Sequence, residues 1–427
     1  MTPRDAASAP PAHPLDPTVR CDRAQAVARR LDDWATARSW AGSDPYEGLN
    51  AKRFAGPLRS TALGRRILMQ VVKRAPFDLR PLLGIEAAPN AASVAWLVSA
   101  YARGGFLARS EADEKLGRTI RLLSQLRSPG YEEPCWGYHF DYQSRVLFMP
   151  RNAPNTIASA YAGMALLDAY NRTGDEELLR LADGTARFFL RHVPQTKAPD
   201  GAYFGYAPRD RSPIHNANMH VAGFLARLAR CMDGGEDLTG PVRRALEYTL
   251  ARQRPDGSWP YGERADLDWT DGFHTGYVLD AVRECADAGI ERAAAEEAWR
   301  RGLDFYRREL VLADGTPKYS VSSAYPIDAQ SAAQAIQTFS IAAGYEPSFA
   351  GEAWNVFEFA MARLRRSDGL FMFQRRRLWR NRATHLRWVV APMLLALTHL
   401  IAMDDAVLRS SAPSAGGKLA HDTDTTG

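Results

Sequence analysis

A repeat of about 56 residues constrains the fold of this chain more than any other feature of its sequence. An Asp-Gly pair followed by aromatic residues recurs at Asp200, Asp256, Asp314 and Asp368, at intervals of 56, 58 and 54 residues. This period fits two helices of roughly 15 to 20 residues and two loops, which is typical of a helical repeat array. Asp-Gly suits the turns, because Gly tolerates a positive φ and the Asp carboxylate accepts hydrogen bonds from nearby backbone N–H groups.

Each repeat combines two kinds of helix. Residues 156–167 are small or apolar on nearly all faces, which predicts an inner helix surrounded by others. Residues 176–191 are charged on one face, which predicts an outer helix at the surface. Residues 92–126 form an earlier hairpin. The later inner helices are expected to begin near Asn155, Asn216, His274, Gln330 and Arg387.

The two ends of the array can complete each other. The last predicted helix, residues 384–403, has no partner after it, whereas residues 23–37 form an unpaired helix near the start. An open solenoid would give the same period, but the small number of repeats and the missing partner favour closure. We predict one all-α domain, an (α/α)6 toroid over residues 21–409, between disordered residues 1–20 and 410–427.

The composition indicates a soluble intracellular protein. The N-terminal stretch is polar and Pro-rich without an apolar segment, which argues against a secretory signal. Cys21, Cys135, Cys231 and Cys285 are scattered without CxxC spacing, so a reducing compartment fits better than a disulfide framework or a zinc site. The apolar run from Trp388 to Met403 is short for a membrane span and predicts a buried core helix. We therefore expect a cytoplasmic protein.

The charge argues against a nucleic-acid partner. A net charge of +5 over 427 residues is dilute for such a role. The densest basic patch is interleaved with aromatic residues and suits either a solvated face or an anionic ligand. Its arginines are Arg375, Arg376, Arg377, Arg380 and Arg382.

A closed ring would gather polar and aromatic residues at one end, because all its inner helices run in the same direction. This mixture suits a glycan, since aromatic faces stack on pyranose rings while polar side chains bind hydroxyl and carboxylate groups. We therefore predict an oligosaccharide or polysaccharide ligand. The candidate binding residues are Trp136, His139, Asp141, Arg145, Asn155, His215, Asn216, Asn218, Trp259, Tyr277, Lys318, Tyr319, Asp328, Gln330, Arg387 and Trp388.

Structural roles remain open for individual members of this set. Short polar residues such as Asn155, Asn216 and Asp271 suit helix N-caps. The aromatic residues Trp136 and Trp259 suit loops packed onto helices. Tyr319 suits such packing too, and His274 a hydrogen-bonded core histidine. Five successive helix starts with such groups exceed what capping alone requires.

Asp271 and His274 are the best candidates for acid–base chemistry. Their spacing of three places both on one face at a helix N-terminus, where the helix dipole favours a carboxylate and a neutral imidazole base. Tyr138, Tyr142 and Tyr319 are candidate proton donors beside a cation. The sequence contains no GxGxxG, P-loop, HExxH or GxSxG motif, so we expect no nucleotide cofactor, no metal and no serine nucleophile.

Four strings in order along the chain carry a family resemblance: WGYHFDYQSR at 136–145, HNAN at 215–218, DGFHTG at 271–276 and DGTPKY at 314–319. They resemble a bacterial family of exopolysaccharide-biosynthesis systems that is itself similar to six-hairpin toroid proteins. The resemblance spans about residues 90–400. It implies a relation to glycoside hydrolases, uronate lyases and glucuronyl C5-epimerases.

The resemblance implies two kinds of reaction. Lyases and epimerases remove the C5 proton beside a carboxylate, with Tyr or His as acid or base and Asn or Arg neutralising the carboxylate. Hydrolysis would instead use a pair of carboxylates, for which Asp141, Asp271 and Asp328 are available. The Asn, His, Tyr and Arg content resembles the first pattern more closely.

Two other functions are compatible with the sequence. A non-catalytic glycan-binding or scaffold protein, peripherally attached to a membrane polysaccharide assembly complex, would need the same binding residues. Residues 253–259 fit the Q-x-x-x-G-x-W repeat of terpene cyclases. The chain lacks the D-x-D-D motif that would protonate a polyprene, so this reading is the weakest.

Overall fold

The computed structural model describes residues 17–53, 56–75, 77–144, 147–232 and 234–411. Most of them are helical, and short antiparallel strands occupy the loops between helices. The α-helices are α1 Pro17–Thr36, α2 Gly56–Arg59, α3 Ala62–Arg74, α4 Arg80–Leu83, α5 Ala91–Arg103, α6 Arg109–Gln125, α7 Thr156–Thr173, α8 Glu176–His192, α9 His215–Cys231, α10 Glu236–Leu250, α11 Gly272–Asp287, α12 Arg292–Phe305, α13 Ala329–Ala343, α14 Phe349–Arg363 and α15 Ala391–Ser411.

The remaining elements are short. The 3-10 turns are Glu47–Asn50 and Ala265–Leu267, and the π turns are Tyr306–Leu310 and Leu386–Val390. Strands pair in the order β1-β2, β3-β4 and β5-β6-β7. The strands are β1 Tyr142–Gln143, β2 Phe148–Met149, β3 Gln195–Ala198, β4 Gly201–Phe204, β5 Ile327–Asp328, β6 Gln374–Arg375 and β7 Arg380–Asn381.

Six inner helices form a closed ring. Helices α5, α7, α9, α11, α13 and α15 each contact the next, and α15 contacts α5. Helices α6, α8, α10, α12 and α14 pack outside, each against the inner helix that precedes it, while α1 packs against α15. The described residues therefore form an (α/α)6 toroid of six hairpins, which confirms the predicted fold and its closure by the N-terminal helix.

Residue size explains which helices lie inside. Helix α7 consists largely of Ala, Gly, Ser and Leu and is buried on most faces, so its neighbours approach closely. A Cβ on Gly163 would lie 2.4 Å from Cε2 of Phe224 on α9. Helix α8 instead buries one face, including Phe188 and Phe189, and exposes its charges. Small residues thus set the spacing of the inner ring.

The Asp-Gly turns have the conformation that the repeat predicts. Gly257, Gly315 and Gly369 have φ of +93°, +79° and +85°. In the turn that contains Gly257, the backbone N–H of Ser258 donates to Asp256 Oδ1 at 2.9 Å. The corresponding bonds to Asp314 and Asp368 measure 3.0 and 3.2 Å. Each turn therefore uses its Gly for a left-handed conformation and its Asp as an internal acceptor.

The domain boundaries differ slightly from those predicted. Helix α1 begins at Pro17, so residues 17–20 belong to the folded part, and α15 extends to Ser411. Residues 1–16 and 412–427, for which disorder is predicted, lie outside the described residues. Pro suits the first turn of a helix, because that turn lacks partners for its N–H groups.

The apolar C-terminal segment is part of the inner ring. By length and composition the stretch Leu386–Asp404 could cross a membrane. The prediction that this run is too short for a span is therefore wrong. However, 83% of the stretch is buried inside the fold. Burial among other helices explains its apolar character.

An N-terminal arm, the described residues between 40 and 90, lies across the end where the inner helices begin. It has a small core of its own around α3, made of Leu49, Ala51, Leu68, Met69, Val72 and Ile85. The arm is anchored to the start of the last inner helix, because Asp44 pairs with Arg387 and Ser43 Oγ lies 2.9 Å from His385 Nδ1.

Closure of the ring by α1 predicts a specific loss of stability. Leu31 on α1 has no exposed surface, whereas Val19 on the same helix is 47% exposed. We expect Leu31→Ala to lower the free energy of unfolding by about 2–5 kcal/mol, because it leaves a cavity between α1 and the ring. Val19→Ala is the matched control. Equal urea-denaturation midpoints for the two variants would show that α1 is not part of the core.

Candidate active site

A cavity of about 920 Å³ lies where the inner helices begin, between their first turns, the connecting loops and the N-terminal arm. Its size is that of a pocket for a small molecule or a few sugar units. Many of the residues predicted from the sequence line it. These are Tyr138, Tyr142, Asn216, Asp271, His274, Tyr277, Tyr319, Gln330, Arg387 and Trp388.

The Asp271–His274 pair has a defined geometry at the start of α11. Asp271 caps the helix, since its Oδ1 accepts from the His274 backbone N–H at 2.9 Å. Its Oδ2 accepts from His274 Nδ1 at 2.7 Å and from Trp269 Nε1 at 3.1 Å. Because a carboxylate only accepts, Nδ1 carries a proton and the lone pair of a neutral His274 lies on Nε2. The carboxylate thus serves as both N-cap and orienting acceptor.

Aromatic rings surround His274. Tyr261 and Trp269 stack with centroids 4.5 Å apart and an interplanar angle of 13°. The Tyr261 ring lies 4.6 Å from the imidazole, and the Phe273 ring lies 4.2 Å from it. Among the described residues, His274 Nε2 has no hydrogen-bond partner. His274 Nε2 is thus an unpaired acceptor beside flat aromatic faces.

The cavity tyrosines keep their protons at neutral pH. Burial raises the pKa of Tyr142 and of Tyr138, and Arg387 offsets the shift only in part. Burial likewise raises the pKa of Tyr319, which Lys73 opposes. The expected lowering by a neighbouring cation is therefore present but smaller than the effect of burial. These phenols are proton donors rather than bases.

Arg387 is a buried cation at the edge of the cavity. Its Nη2 donates to Asp44 Oδ1 at 3.0 Å, and its guanidinium carbon lies 4.6 Å from the centre of the Tyr138 ring. Burial alone would lower the pKa of Arg387, but Asp44 raises it above the usual value. The arginine therefore stays charged and joins the arm to the ring.

A second cation reaches the cavity from the N-terminal arm. Lys73 on α3 donates from Nζ to the Tyr46 hydroxyl at 2.5 Å. Burial lowers the pKa of Lys73, and Tyr319 and Asp328 oppose that effect. The Tyr46 ring lies 5.3 Å from that of Trp388. The site therefore contains a phenol that is hydrogen-bonded to an ammonium group.

Three buried polar atoms at the cavity have no hydrogen-bond partner among the described residues. They are Asn216 Oδ1, Gln330 Oε1 and Trp388 Nε1. Unpaired buried polar atoms are costly and uncommon in folded proteins. Gln330 is also oriented, because its Nε2 donates to the Tyr277 hydroxyl at 2.6 Å. Two acceptors and one donor thus remain for a bound molecule.

The predicted tryptophans of the loops are structural. Trp136 and Trp259 are each 2% exposed and do not line the main cavity. Their indole N–H groups donate to the carbonyl oxygens of Leu123 and Thr249 at 2.8 and 2.9 Å. Each packs a loop onto an outer helix, which is the alternative that the sequence left open.

Two predicted asparagines hold backbone instead of substrate. Asn155 caps α7, with its Oδ1 accepting from the Ala158 N–H at 2.9 Å. Asn218 accepts from the Phe204 N–H at 3.0 Å and donates to the Ala245 carbonyl at 2.8 Å. Both are fully buried and away from the cavity.

Two predicted histidines are paired away from the main cavity. His215 Nε2 lies 2.6 Å from Glu263 Oε1, and His139 Nε2 lies 3.4 Å from Glu47 Oε2. Burial lowers the pKa of His215, although Glu263 opposes the shift. His139 thus joins its loop to the N-terminal arm, and His215 joins α9 to the loop that carries Glu263.

The remaining predicted residues also lie off the cavity or outside the described part. Asp328 caps α13, accepting from the Ser331 N–H at 2.7 Å, and Asp141 accepts from the Arg151 N–H at 2.7 Å. Lys318 is absent from the cavity lining. Arg145 lies outside the described residues.

Sequence reasoning missed the contribution of the N-terminal arm. Helix α3 presents one polar and basic face to the cavity, and Tyr46 precedes it in the chain. The helical spacing of Arg66, Gln70, Lys73 and Arg74 is a signal that could have found this face. Trp269 and Tyr261 were also missed, although both are near the Asp271 motif.

Solved structures with this architecture include enzymes of several kinds. A cellobiose 2-epimerase from Bacillus thermoamylovorans B4167 aligns at a TM-score of 0.58 with 13% identity, over 74% of this chain and 88% of that one. A polysaccharide lyase aligns at 0.58 with 10% identity, over 90% and 98%. A family 88 glycosyl hydrolase from Bacteroides vulgatus aligns at 0.58 with 7% identity, over 90% and 99%.

These likenesses establish the fold and leave the reaction open. Similar folds at such low identity carry different chemistries on one scaffold. No protein-family model matches this sequence, and no curated protein sequence matches it. The chain is thus a six-hairpin (α/α)6 toroid, and its function has to be argued from its own cavity.

Asp280, further along α11, predicts a dependence of stability on pH. Its carboxylate accepts from Gln334, Gln337 and Thr338 at 2.8 to 2.9 Å. Burial nevertheless raises its pKa from 3.8 to about 7. Because the folded state keeps a proton that the unfolded chain releases, the stability that Asp280 contributes falls as pH rises from about 4 to about 7.

Asp280→Asn removes this titration. The free energy of unfolding of the variant minus that of the unmodified protein should therefore increase by roughly 1–3 kcal/mol as the pH rises from about 5 to about 8. Urea denaturation at both pH values measures the difference. A difference that stays constant over that range would contradict the raised pKa.

Proposed function

We propose that this protein is an enzyme that modifies a uronate-containing glycan by removing the C5 proton beside the carboxylate, with His274 as the base. The observation that carries the proposal is the 2.7 Å bond from His274 Nδ1 to Asp271, which leaves Nε2 for the substrate. The fold lends support, because proteins that share it include a cellobiose epimerase and a polysaccharide lyase.

The charges around the cavity suit an anionic sugar. Arg66, Lys73, Arg74 and Arg254 line it together with Arg387. Removal of the C5 proton places negative charge on the carboxylate oxygens, so nearby cations and hydrogen-bond donors lower the energy of the transition state. The unpaired acceptors of Asn216 and Gln330 are available to the sugar hydroxyls.

The proton balance assigns separate roles to two residues. His274 Nε2 takes the C5 proton and becomes an imidazolium paired with Asp271, while the electrons of the C–H bond move into the carboxylate as an enolate. Tyr46 then gives its proton to C5, or to O4 as the C4–O4 bond breaks. The resulting phenolate is stabilised by the Lys73 ammonium group, which already donates to the Tyr46 oxygen.

Hydrolysis fits this cavity less well. The acidic residues that line it are Asp256, Asp268 and Asp271. Asp256 accepts from the Ser258 N–H within a turn, and Asp268 is paired with Arg254. Asp141 and Asp328, the other predicted candidates, lie off the cavity. A free acid and a free base facing one another across a glycosidic bond are therefore missing among the described residues.

The setting that we propose is exopolysaccharide synthesis in the cytoplasm. This rests on the family resemblance of the four sequence strings and on the scattered cysteines, which suit a reducing compartment. A purely glycan-binding protein would use the same aromatic and polar walls. It would have no need for an oriented base, and this difference is what the first experiment addresses.

His274 is the residue to test first. NMR in D2O of the unmodified protein with a uronate oligosaccharide should show one of two outcomes. An epimerase should place deuterium at C5 with inversion, whereas a lyase should give a 4,5-unsaturated product that has no hydrogen at C5. His274→Gln should lower the rate of exchange by about 10²–10⁴-fold, because the base is lost. Glycan affinity should change little.

The control is His192→Gln, the same substitution on the outer helix α8. Binding with neither exchange at C5 nor a new product in the unmodified protein would favour the glycan-binding role. A new reducing end with neither exchange at C5 nor a 4,5-unsaturated product would establish hydrolysis. Asp271→Asn keeps a capping oxygen but removes the negative acceptor, so it should retain the fold and lose part of the exchange rate.

The Tyr46–Lys73 pair predicts that exchange and product formation can be separated. Tyr46→Phe removes the proton donor but not the base, so conversion should fall about 10²-fold while C5 exchange persists. Lys73→Met should act in the same direction, because the phenolate loses its partner. Exchange and conversion that fall together would limit Tyr46 to a positioning role, and unchanged conversion would exclude it from the reaction.

A further inference from the structure

Helix α3 has three distinct faces. One face is buried in the small core of the arm and includes Leu68 and Val72. A second face lines the cavity. The third face is apolar yet exposed: Leu63 is 67%, Ile67 46% and Val71 50% exposed. Their spacing of four forms one stripe along the helix.

The loop between β6 and β7 brings a further apolar side chain to the same region. Leu378 at its tip is 93% exposed. The hairpin is attached to the end of α3, because Asn381 Nδ2 donates to the carbonyl oxygens of Lys73 and Ala75 at 3.3 Å. We define the α3 rim as two groups of residues. Its apolar members are Leu63, Ile67, Val71 and Leu378, and its basic members are Arg66, Arg74, Arg375, Arg376 and Arg377.

The rim is exceptional among the described residues. They include fourteen large apolar side chains that are exposed, and eight of these lie in the arm, the β1–β2 hairpin or the β6–β7 hairpin. Isolated exposed apolar residues need no explanation, but a contiguous stripe on one helix does. An apolar stripe of this kind indicates a surface that is covered in use.

The charged residues in and around the rim are basic. Residues 51–77 contain seven Lys or Arg and no Asp or Glu, and the β6–β7 hairpin adds the arginine patch of 375–382. Within the described residues, no carboxylate lies within ion-pair distance of Arg66, Arg74, Arg375 or Arg377. Elsewhere on the surface arginines are commonly paired, as Arg172 is with Asp113 at 2.9 Å.

The cations of the rim also crowd one another. Burial lowers the pKa of Arg376, and the positive charge of Arg74 lowers it further. This repulsion is unfavourable in the free protein and would be relieved by an anionic partner. It also opposes docking of a second copy through the same surface, because the same cations would then face each other.

We propose that the α3 rim docks on an anionic lipid surface. An amphipathic helix that combines an apolar stripe with flanking Lys and Arg is the arrangement that binds at the boundary between headgroups and acyl chains. Neither nucleic acid nor an acidic polysaccharide would cover the leucine, isoleucine and valine side chains. The arginine patch, for which the sequence left a solvated face and an anionic ligand open, takes the second role.

The position of the rim links docking to the cavity. Helix α3 carries both the exposed stripe and cavity-lining residues such as Gln70 and Lys73. A protein bound through this helix would hold the mouth of its cavity next to the bilayer. A glycan attached to a lipid could then enter the cavity while its lipid stays in the bilayer. The docking itself does not depend on the reaction proposed above.

Vesicle sedimentation tests the proposal with the full chain. The protein should sediment with vesicles of phosphatidylcholine and phosphatidylglycerol and remain in solution with phosphatidylcholine alone. Binding should weaken as salt rises, because the rim arginines contribute through charge. Arg375→Gln/Arg377→Gln should lower binding about tenfold. Leu63→Ser/Ile67→Ser/Val71→Ser should lower it as well, through the lost apolar contact.

The control is Leu190→Ser/Leu312→Ser, which changes two leucines that are 43% and 42% exposed on other surfaces. This variant should sediment like the unmodified protein, and all variants should keep the same melting temperature. Failure to sediment with anionic vesicles would overturn the proposal, as would equal binding by the rim variants. A dimer in light scattering that the Leu63/Ile67/Val71 variant abolishes would assign the stripe to self-association instead.

Discussion

The closed ring of parallel inner helices is the constraint on which the rest of this structure depends. Because α15 contacts α5, every inner helix begins at the same end, and the first turns meet around one cavity. Most starts use their polar residues to satisfy backbone N–H groups, as Asn155 and Asp328 do. Only at α11, among the described starts, does the capping carboxylate also hold a cavity-lining imidazole. The base that we propose therefore lies where both oxygens of one capping carboxylate accept hydrogen bonds from the same histidine.

The second requirement is the attachment of the N-terminal arm. A buried Asp44–Arg387 pair links the arm to the last inner helix, and removal of either partner would leave a buried charge unpaired. The pair holds α3 beside the cavity, so that one short helix supplies a wall of the site and an exposed rim. Lys73 and Tyr46 belong to the arm and line the same cavity as His274.

The protonation and charge of the residues that line the cavity follow from their burial. The pKa values of the tyrosines are raised, so the phenols stay protonated, the cations outnumber free carboxylates, and two amide oxygens have no partner. A cavity of this kind offers donors, cations and one oriented base to its ligand. This combination is what removal of a proton beside a carboxylate requires, and it differs from the paired carboxylates of a hydrolase.

The sequence by itself determined the repeat, the six hairpins, the conformation of the Asp-Gly turns and the Asp271–His274 pair. These features depend on spacings within one helix or one loop, which neighbouring residues encode directly. Only the tertiary structure decided which polar residues at the helix starts face the cavity. His139 and His215 resemble His274 in sequence, yet they turn to Glu47 and Glu263. Such choices depend on contacts between distant segments, and so does the entry of Lys73 into the site, because packing rather than spacing sets the direction of a side chain.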